Sequence, residues 1–185
     1  MKLRFVAFAQ KLSGILNIWL LLAALVFAGI LLQGNGMVFP GAGDEDSDSG
    51  KELVISGPVR VSDGDSLRFG EERVRIVGID APELDQTCKN PDGSPWPCGR
   101  VARQSLLQLV AKGGVTCTYE KRDRYGRALG LCLVDGVDIG GAMVSQGMAV
   151  SYDGYPEQEA YARNGRKGMW RGEFIMPRDW RRKER

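Results

Sequence analysis

From Leu53 onward the chain keeps switching its hydrophobic period, and this limits what it can fold into more than any other feature. The pieces LVISGPVRV, DSLRF and RVRIVGI alternate apolar and polar residues or run apolar, and Gly-Pro, Asp-Gly and Gly-Glu-Glu break them. A two-residue period interrupted by turn-forming residues specifies short, half-buried strands, so these pieces predict a three-strand meander. Helical spacing enters later. Ala102, Leu106, Leu109 and Val110 form one apolar stripe, which predicts a helix from about Arg100 to Ala111, ended by Gly113-Gly114. Two further strands, Val115 to Glu120 and Ala128 to Val134, follow it. Short helices are expected at Ile139 to Gln146 and at Pro156 to Lys167, the second opening with proline in its first turn.

Five short strands, with helices inserted after the third and following the fifth, suit an α+β, mainly β fold. The expected architecture is a five-stranded, closed or partly open β-barrel of the oligonucleotide-binding (OB) type with about three helices. It should occupy residues 52–171.

Ahead of this unit, Ile15 to Leu32 (ILNIWLLLAALVFAGILL) is apolar except for Asn17. At 1.5 Å per residue such a helix nearly crosses a hydrocarbon core about 30 Å thick. Lys2, Arg4 and Lys11 precede it, and Asp44, Glu45, Asp46 and Asp48 follow. The positive-inside rule then leaves residues 1–14 in the cytoplasm and carries the rest outside. Residues 15–32 read as a single-pass transmembrane anchor in the inner or plasma membrane, and the Gly-, Asp- and Ser-rich residues 33–51 as a flexible acidic linker. The competing reading is a cleaved signal peptide, because Val26-Phe27-Ala28 offers small residues before Gly29; the domain would then be secreted. Both readings export it.

The chain has no histidine. That removes a Ser-His-Asp triad, a Cys-His dyad and every histidine-containing zinc site, and leaves carboxylates, arginines and thiols to carry any chemistry. Its net charge of +2 is too slight to establish an anionic partner by itself. Cys88, Cys98, Cys117 and Cys132 contain no C-x-x-C pair, so disulfides fit them better than a structural zinc site.

Three charged motifs stand out against the strand pattern. Asp63-Gly64-Asp65 sits between two strands and would alone be a tight turn. In Arg75-Ile-Val-Gly-Ile-Asp80-Ala-Pro-Glu83 an arginine and an aspartate bracket an otherwise apolar strand, and a glutamate follows just past a proline. Asp123-Arg124-Tyr125-Gly126-Arg127 is a charged turn joining the last two strands.

In this order the three motifs resemble those of the staphylococcal nuclease (thermonuclease) family, and the likeness runs from about Val54 to Trp170. The resemblance implies a five-stranded OB barrel with three helices and a calcium-dependent endonuclease. Such an enzyme hydrolyses phosphodiester bonds of DNA and/or RNA and leaves 3′-phosphates. It further implies Asp65 and Asp80 as carboxylate ligands of one Ca2+, with Ala81 giving a backbone carbonyl where the family commonly has threonine. Glu83 matches the family's proposed general base, and Arg75 and Arg127 its two phosphate-gripping arginines. The chemistry suits these residue types. Hydrolysis of a phosphodiester anion needs its oxygens neutralised and a water aligned, and planar guanidinium forks meet phosphate more rigidly than lysine does.

Tyr152 and Tyr155 fall where the family places two tyrosines against the nucleotide, but three residues apart instead of two, so substrate contact and core packing both remain open. Cys117 and Cys132 flank the Asp123–Arg127 turn symmetrically, which makes them cross-strand neighbours within disulfide range. Cys88 and Cys98 then pair with each other. Residues 172–185 (GEFIMPRDWRRKER) read as a solvated basic tail, or as an attraction for phosphate of substrate or lipid. The rival functions are a catalytically weak nucleic-acid-binding module, whose sign would be loss of one of the charged site residues, and a disulfide-braced interaction domain outside the cytoplasm. The expected partners are nucleic acid and, through the anchor, a membrane. No obligate protein partner is implied, and a monomer is expected.

Overall fold

Turn chemistry decides the layout of the computed structural model, which describes residues 52–183. Gly57 takes φ 127°, a backbone conformation that side chains resist, and with Pro58 it breaks the first apolar run. The run becomes β1 (Leu53–Ser56) and β2 (Arg60–Val61). β3 (Ser66–Phe69) and β4 (Glu72–Ile76) follow, then the short β5 (Ile79–Asp80), β6 (Cys88–Lys89) and β7 (Pro95–Trp96). Helix α1 (Cys98–Val110) leads into the long hairpin of β8 (Val115–Arg122) and β9 (Ala128–Val134). The chain continues through β10 (Val137–Asp138), α2 (Ile139–Ser145), β11 (Val150–Ser151) and α3 (Pro156–Asn164). A 3-10 turn (Gly168–Arg171) and α4 (Pro177–Lys183) complete the described residues.

The main sheet runs β1-β8-β9-β4-β3-β2, with β10 on β9, and is mixed because β4 and β9 pair in parallel. The expected meander is therefore only partly formed: β2, β3 and β4 are consecutive antiparallel neighbours, but β1 crosses to the far edge and pairs with β8. This curled mixed sheet with helices on it is an α+β arrangement consistent with an OB-like fold. One core fills it. Leu67, Val74 and Ile76 from the strands meet Ala102, Leu106 and Leu109 of α1 and Ile139, Met143 and Val144 of α2, all buried. A smaller cluster gathers Cys88, Trp96, Cys98, Val150 and Met169.

Both expected disulfides close. Cys117 opposes Cys132 across β8 and β9, with Cα atoms 4.1 Å apart, and Cys88 joins Cys98 at 5.6 Å. The basic tail departs from expectation. Instead of ending as a solvated terminus it folds back: Lys89 N donates to the Glu173 carbonyl at 2.8 Å, buried Gln86 donates through Nε2 to the Ile175 carbonyl at 2.7 Å, and Pro177 is buried in α4. The apolar segment 15–32 and the linker 33–51 lie outside the described residues. Among the described residues, no helix is long and apolar enough to cross a membrane.

Candidate active site

The site starts from a turn that needs glycine. A Cβ on Gly64 would lie 2.6 Å from the Ala81 Cβ and 3.0 Å from the Ala102 Cβ, so any side chain there would push the turn off α1. Asp63 caps the turn by accepting from Asp65 N at 3.0 Å. The β3–β4 register sets Ser66 opposite Arg75, which brings Asp65 beside the arginine. Asp65 Oδ1 accepts from Arg75 Nη1 at 3.1 Å and from the Ser66 hydroxyl at 3.0 Å, and its Oδ2 accepts from Ala81 N at 3.1 Å. The other arm of Arg75 donates to Asp80 Oδ1 at 2.9 Å. Both carboxylate side chains keep only 5% of their exposure. Burial pushes the Asp65 carboxyl up to about 7, against the opposing pull of Arg75.

Glu83 is set by a second glycine and a buried amide. A Cβ on Gly99 would fall 1.6 Å from the Glu83 carbonyl oxygen, so the loop rests directly on the first turn of α1. Glu83 N donates to Gln86 Oε1 at 3.2 Å, and Gln86 N returns a bond to the Glu83 carbonyl at 2.8 Å. With its backbone pinned, the Glu83 side chain stays about one-third exposed at the cleft.

Arg127 comes from the tip of the long hairpin. β8 and β9 stay in register from Val115 to Tyr119, then a bulge intervenes before Arg122 pairs with Ala128. Bulges raise local twist and re-aim side chains, and this one displaces the turn from the symmetric hairpin expected. Asp123 organises the tip. Its Oδ1 accepts from Tyr125 N and Arg127 N, and its Oδ2 accepts from Arg127 Nε at 2.7 Å. Burial opposes the Asp123 carboxylate, but the bonds from Arg127 and Tyr125 outweigh it and hold its pKa below the ordinary value. Parallel pairing of β4 with β9 then seats Arg127 next to the strand of Arg75.

The result is a cleft of ≈ 320 Å³ whose lining includes Asp65, Arg75, Ala81, Glu83 and Arg127. Asp80 is not in the lining but lies behind it, tied to Arg75. The two tyrosines do not join them. Tyr152 is 62% exposed away from the lining, its backbone N–H bonded to the Gly78 carbonyl. Tyr155 is a packing residue: its hydroxyl donates to the Asp138 carboxylate at 2.9 and 3.1 Å and its ring lies against Gly140 and Gly141. Burial, together with the Asp138 charge, raises its pKa. Conversely, Arg124, Tyr125 and Arg181 also line the cleft. Arg181, from α4, donates to Asp80 and Glu83, and nothing in the sequence beyond a basic tail pointed to it. Among the described residues no three Asp, Glu, His or Cys side chains form a ready-made metal cluster; arginines interleave the carboxylates.

A family profile described as "Staphylococcal nuclease homologue" matches residues 73–172. Arg75, Asp80, Glu83 and Arg127 fall within that stretch, whereas Asp65 and Arg181 lie beyond its ends. The chain is also 32% identical over 133 residues to "Succinoglycan biosynthesis protein ExoI" of Rhizobium meliloti, covering 68% of this chain and 70% of that protein. It is 35% identical over 138 residues to an "Uncharacterized endonuclease" of Escherichia coli O157:H7, covering 68% and 84%. A protein of the same description from Haemophilus influenzae is 31% identical over 139 residues, covering 69% and 72%.

Proposed function

The chain belongs to the staphylococcal nuclease family, and on that footing we propose that it is a calcium-dependent endonuclease that hydrolyses phosphodiester bonds of DNA or RNA and leaves 3′-phosphates. The observation that carries this reading is the convergence of Asp65, Arg75, Glu83 and Arg127 on one cleft from three separate motifs.

The oxygen-only donor set, with two nearly buried carboxylates, fits a hard cation. Asp65, Asp80 and the Ala81 carbonyl would hold it. Calcium bound there supplies positive charge to the phosphate and lowers the pKa of an attacking water. The chain's own residues do the rest. Arg127 spends Nε on Asp123, which leaves its terminal nitrogens to fork onto the non-bridging phosphate oxygens. Arg75 divides its nitrogens between Asp65 and Asp80, and each of those nitrogens retains a second N–H for phosphate. Glu83, at the cleft wall, takes the proton of the attacking water. The bond from phosphorus to the 5′-oxygen then breaks, and the phosphate stays on the 3′ side.

The same proposal places the domain outside the cytoplasm, held by residues 15–32 in the inner or plasma membrane and linked through residues 33–51. The charge asymmetry around the apolar run supports it, as do two disulfides, which persist in oxidising compartments. Mapping the cut ends tests the chemistry: products of the full-length chain should carry 3′-phosphate and 5′-hydroxyl termini, and Glu83→Gln should abolish them. Products with 5′-phosphates would overturn the assignment.

A further inference from the structure

Arg181 reaches the site from α4, 101 residues along the chain from Asp80. Its Nη1 lies 3.0 Å from Asp80 Oδ1 and 2.7 Å from Glu83 Oε1, and its Nη2 lies 3.0 Å from Asp80 Oδ2. One guanidinium therefore forks across both oxygens of Asp80 and bridges to Glu83. With Arg75 also on Oδ1, that oxygen accepts from two guanidinium groups and both of its lone pairs are filled. Asp80 cannot give Oδ1 to another cation unless one of the two arginines withdraws.

The two arginines are not equally free to leave. Arg75 sits in β4 between two paired strands, with its side chain 23% exposed. Arg181 is 37% exposed on a seven-residue helix. A divalent cation a few ångströms away would repel both, and the more solvated one yields first.

We propose that Arg181 is the resident counter-cation of Asp80 and Glu83, a positioning residue that competes with a divalent cation for these carboxylates and thereby sets the cation affinity of the site. This rests on the calcium reading above. The family match ends at residue 172, so Arg181 lies outside the matched pattern.

Calorimetric titration of the full-length chain with CaCl2, without nucleic acid, tests it. Arg181→Gln should bind calcium about two- to fivefold tighter than the unaltered chain, the weight of a partly exposed charge pair removed from competition. Arg181→Lys keeps the helix and the charge but not the fork, and should fall between the two. Arg182→Gln removes a neighbouring guanidinium that pairs with Asp179 on the surface, and should leave the affinity unchanged. Far-UV circular dichroism checks that each variant is folded. Equal or weaker calcium binding in both Arg181 variants would overturn the proposal while leaving the calcium reading standing. Absence of calcium binding by every chain, the unaltered one included, would overturn both.

Discussion

Replacing Arg75 with lysine keeps a charge and removes a fork. In the native site the two arms of Arg75 hold two carboxylates, Asp65 at 3.1 Å and Asp80 at 2.9 Å, each with its side chain only 5% exposed. A single ammonium reaches one of them well, so the other loses one charge-assisted hydrogen bond. Such a bond contributes about 1.5–3 kcal/mol, and the loss should come to about 1–2 kcal/mol because Asp65 keeps Ser66 and Ala81 N while Asp80 keeps Arg181. For a domain of this size that lowers the melting midpoint by about 3–8 °C. Activity should suffer more. Loss of one preorganised donor at the charge that develops on phosphate removes on the order of 10²–10³ in rate. Thermal melts and initial cleavage rates on a labelled DNA strand, measured on the same preparation, separate the two effects. Near-normal turnover, or a rate loss no larger than the small stability loss would produce, would refute the role given to Arg75.

Tyr155→Phe should lower stability by about 1–2 kcal/mol, because Asp138 loses a hydroxyl donor while it also caps α2, and turnover should be unchanged; a collapse in rate with an unchanged melt would return Tyr155 to the substrate. Asp65 has its carboxyl raised from 3.8 to about 7 in the native state, so in calcium-free buffer the folded chain holds a proton that the unfolded chain has released. Its contribution to stability is present near pH 4 and is lost as pH rises toward 7, and melts across that range should show a shallower fall in Asp65→Asn than in the unaltered chain; identical slopes would contradict it. Replacing Cys117 and Cys132 with serine should cost about 3 kcal/mol in a denaturant melt by the loop-entropy estimate for a separation of 15 residues, and an unmoved midpoint would show the crosslink idle.

What the sequence revealed of this site follows from local rules. Charged residues at the ends of an apolar strand are conspicuous, and that is how Arg75, Asp80 and Glu83 stood out. The Cys117–Cys132 pairing was legible because the two cysteines lie equally far from a turn centred between Arg124 and Tyr125, and the bulge takes up the one-residue offset of the actual turn, which pairs Arg122 with Ala128, before the cysteines are reached. Other features depend on contacts between distant segments. The split of β1 from β2 is set by where β8 lies, and a two-residue period says nothing about which edge a strand joins. Gly64 and Gly99 look like any loop glycines until Ala81 and the Glu83 carbonyl press against them. Gln86 reads as an ordinary polar residue although it is fully buried and holds the Glu83 loop. The spacing of Tyr152 and Tyr155 left packing and substrate contact equally open, and Asp138, seventeen residues from Tyr155, engages the hydroxyl of the second. Arg181 sits among basic residues that pattern alone cannot rank.

Cleavage of a labelled DNA strand by the full-length chain, with calcium and then with excess chelator, tests the nuclease reading most directly. Cutting should occur with calcium, stop on chelation and return when calcium is restored. Undiminished cutting in excess chelator, or none with calcium present, would contradict it.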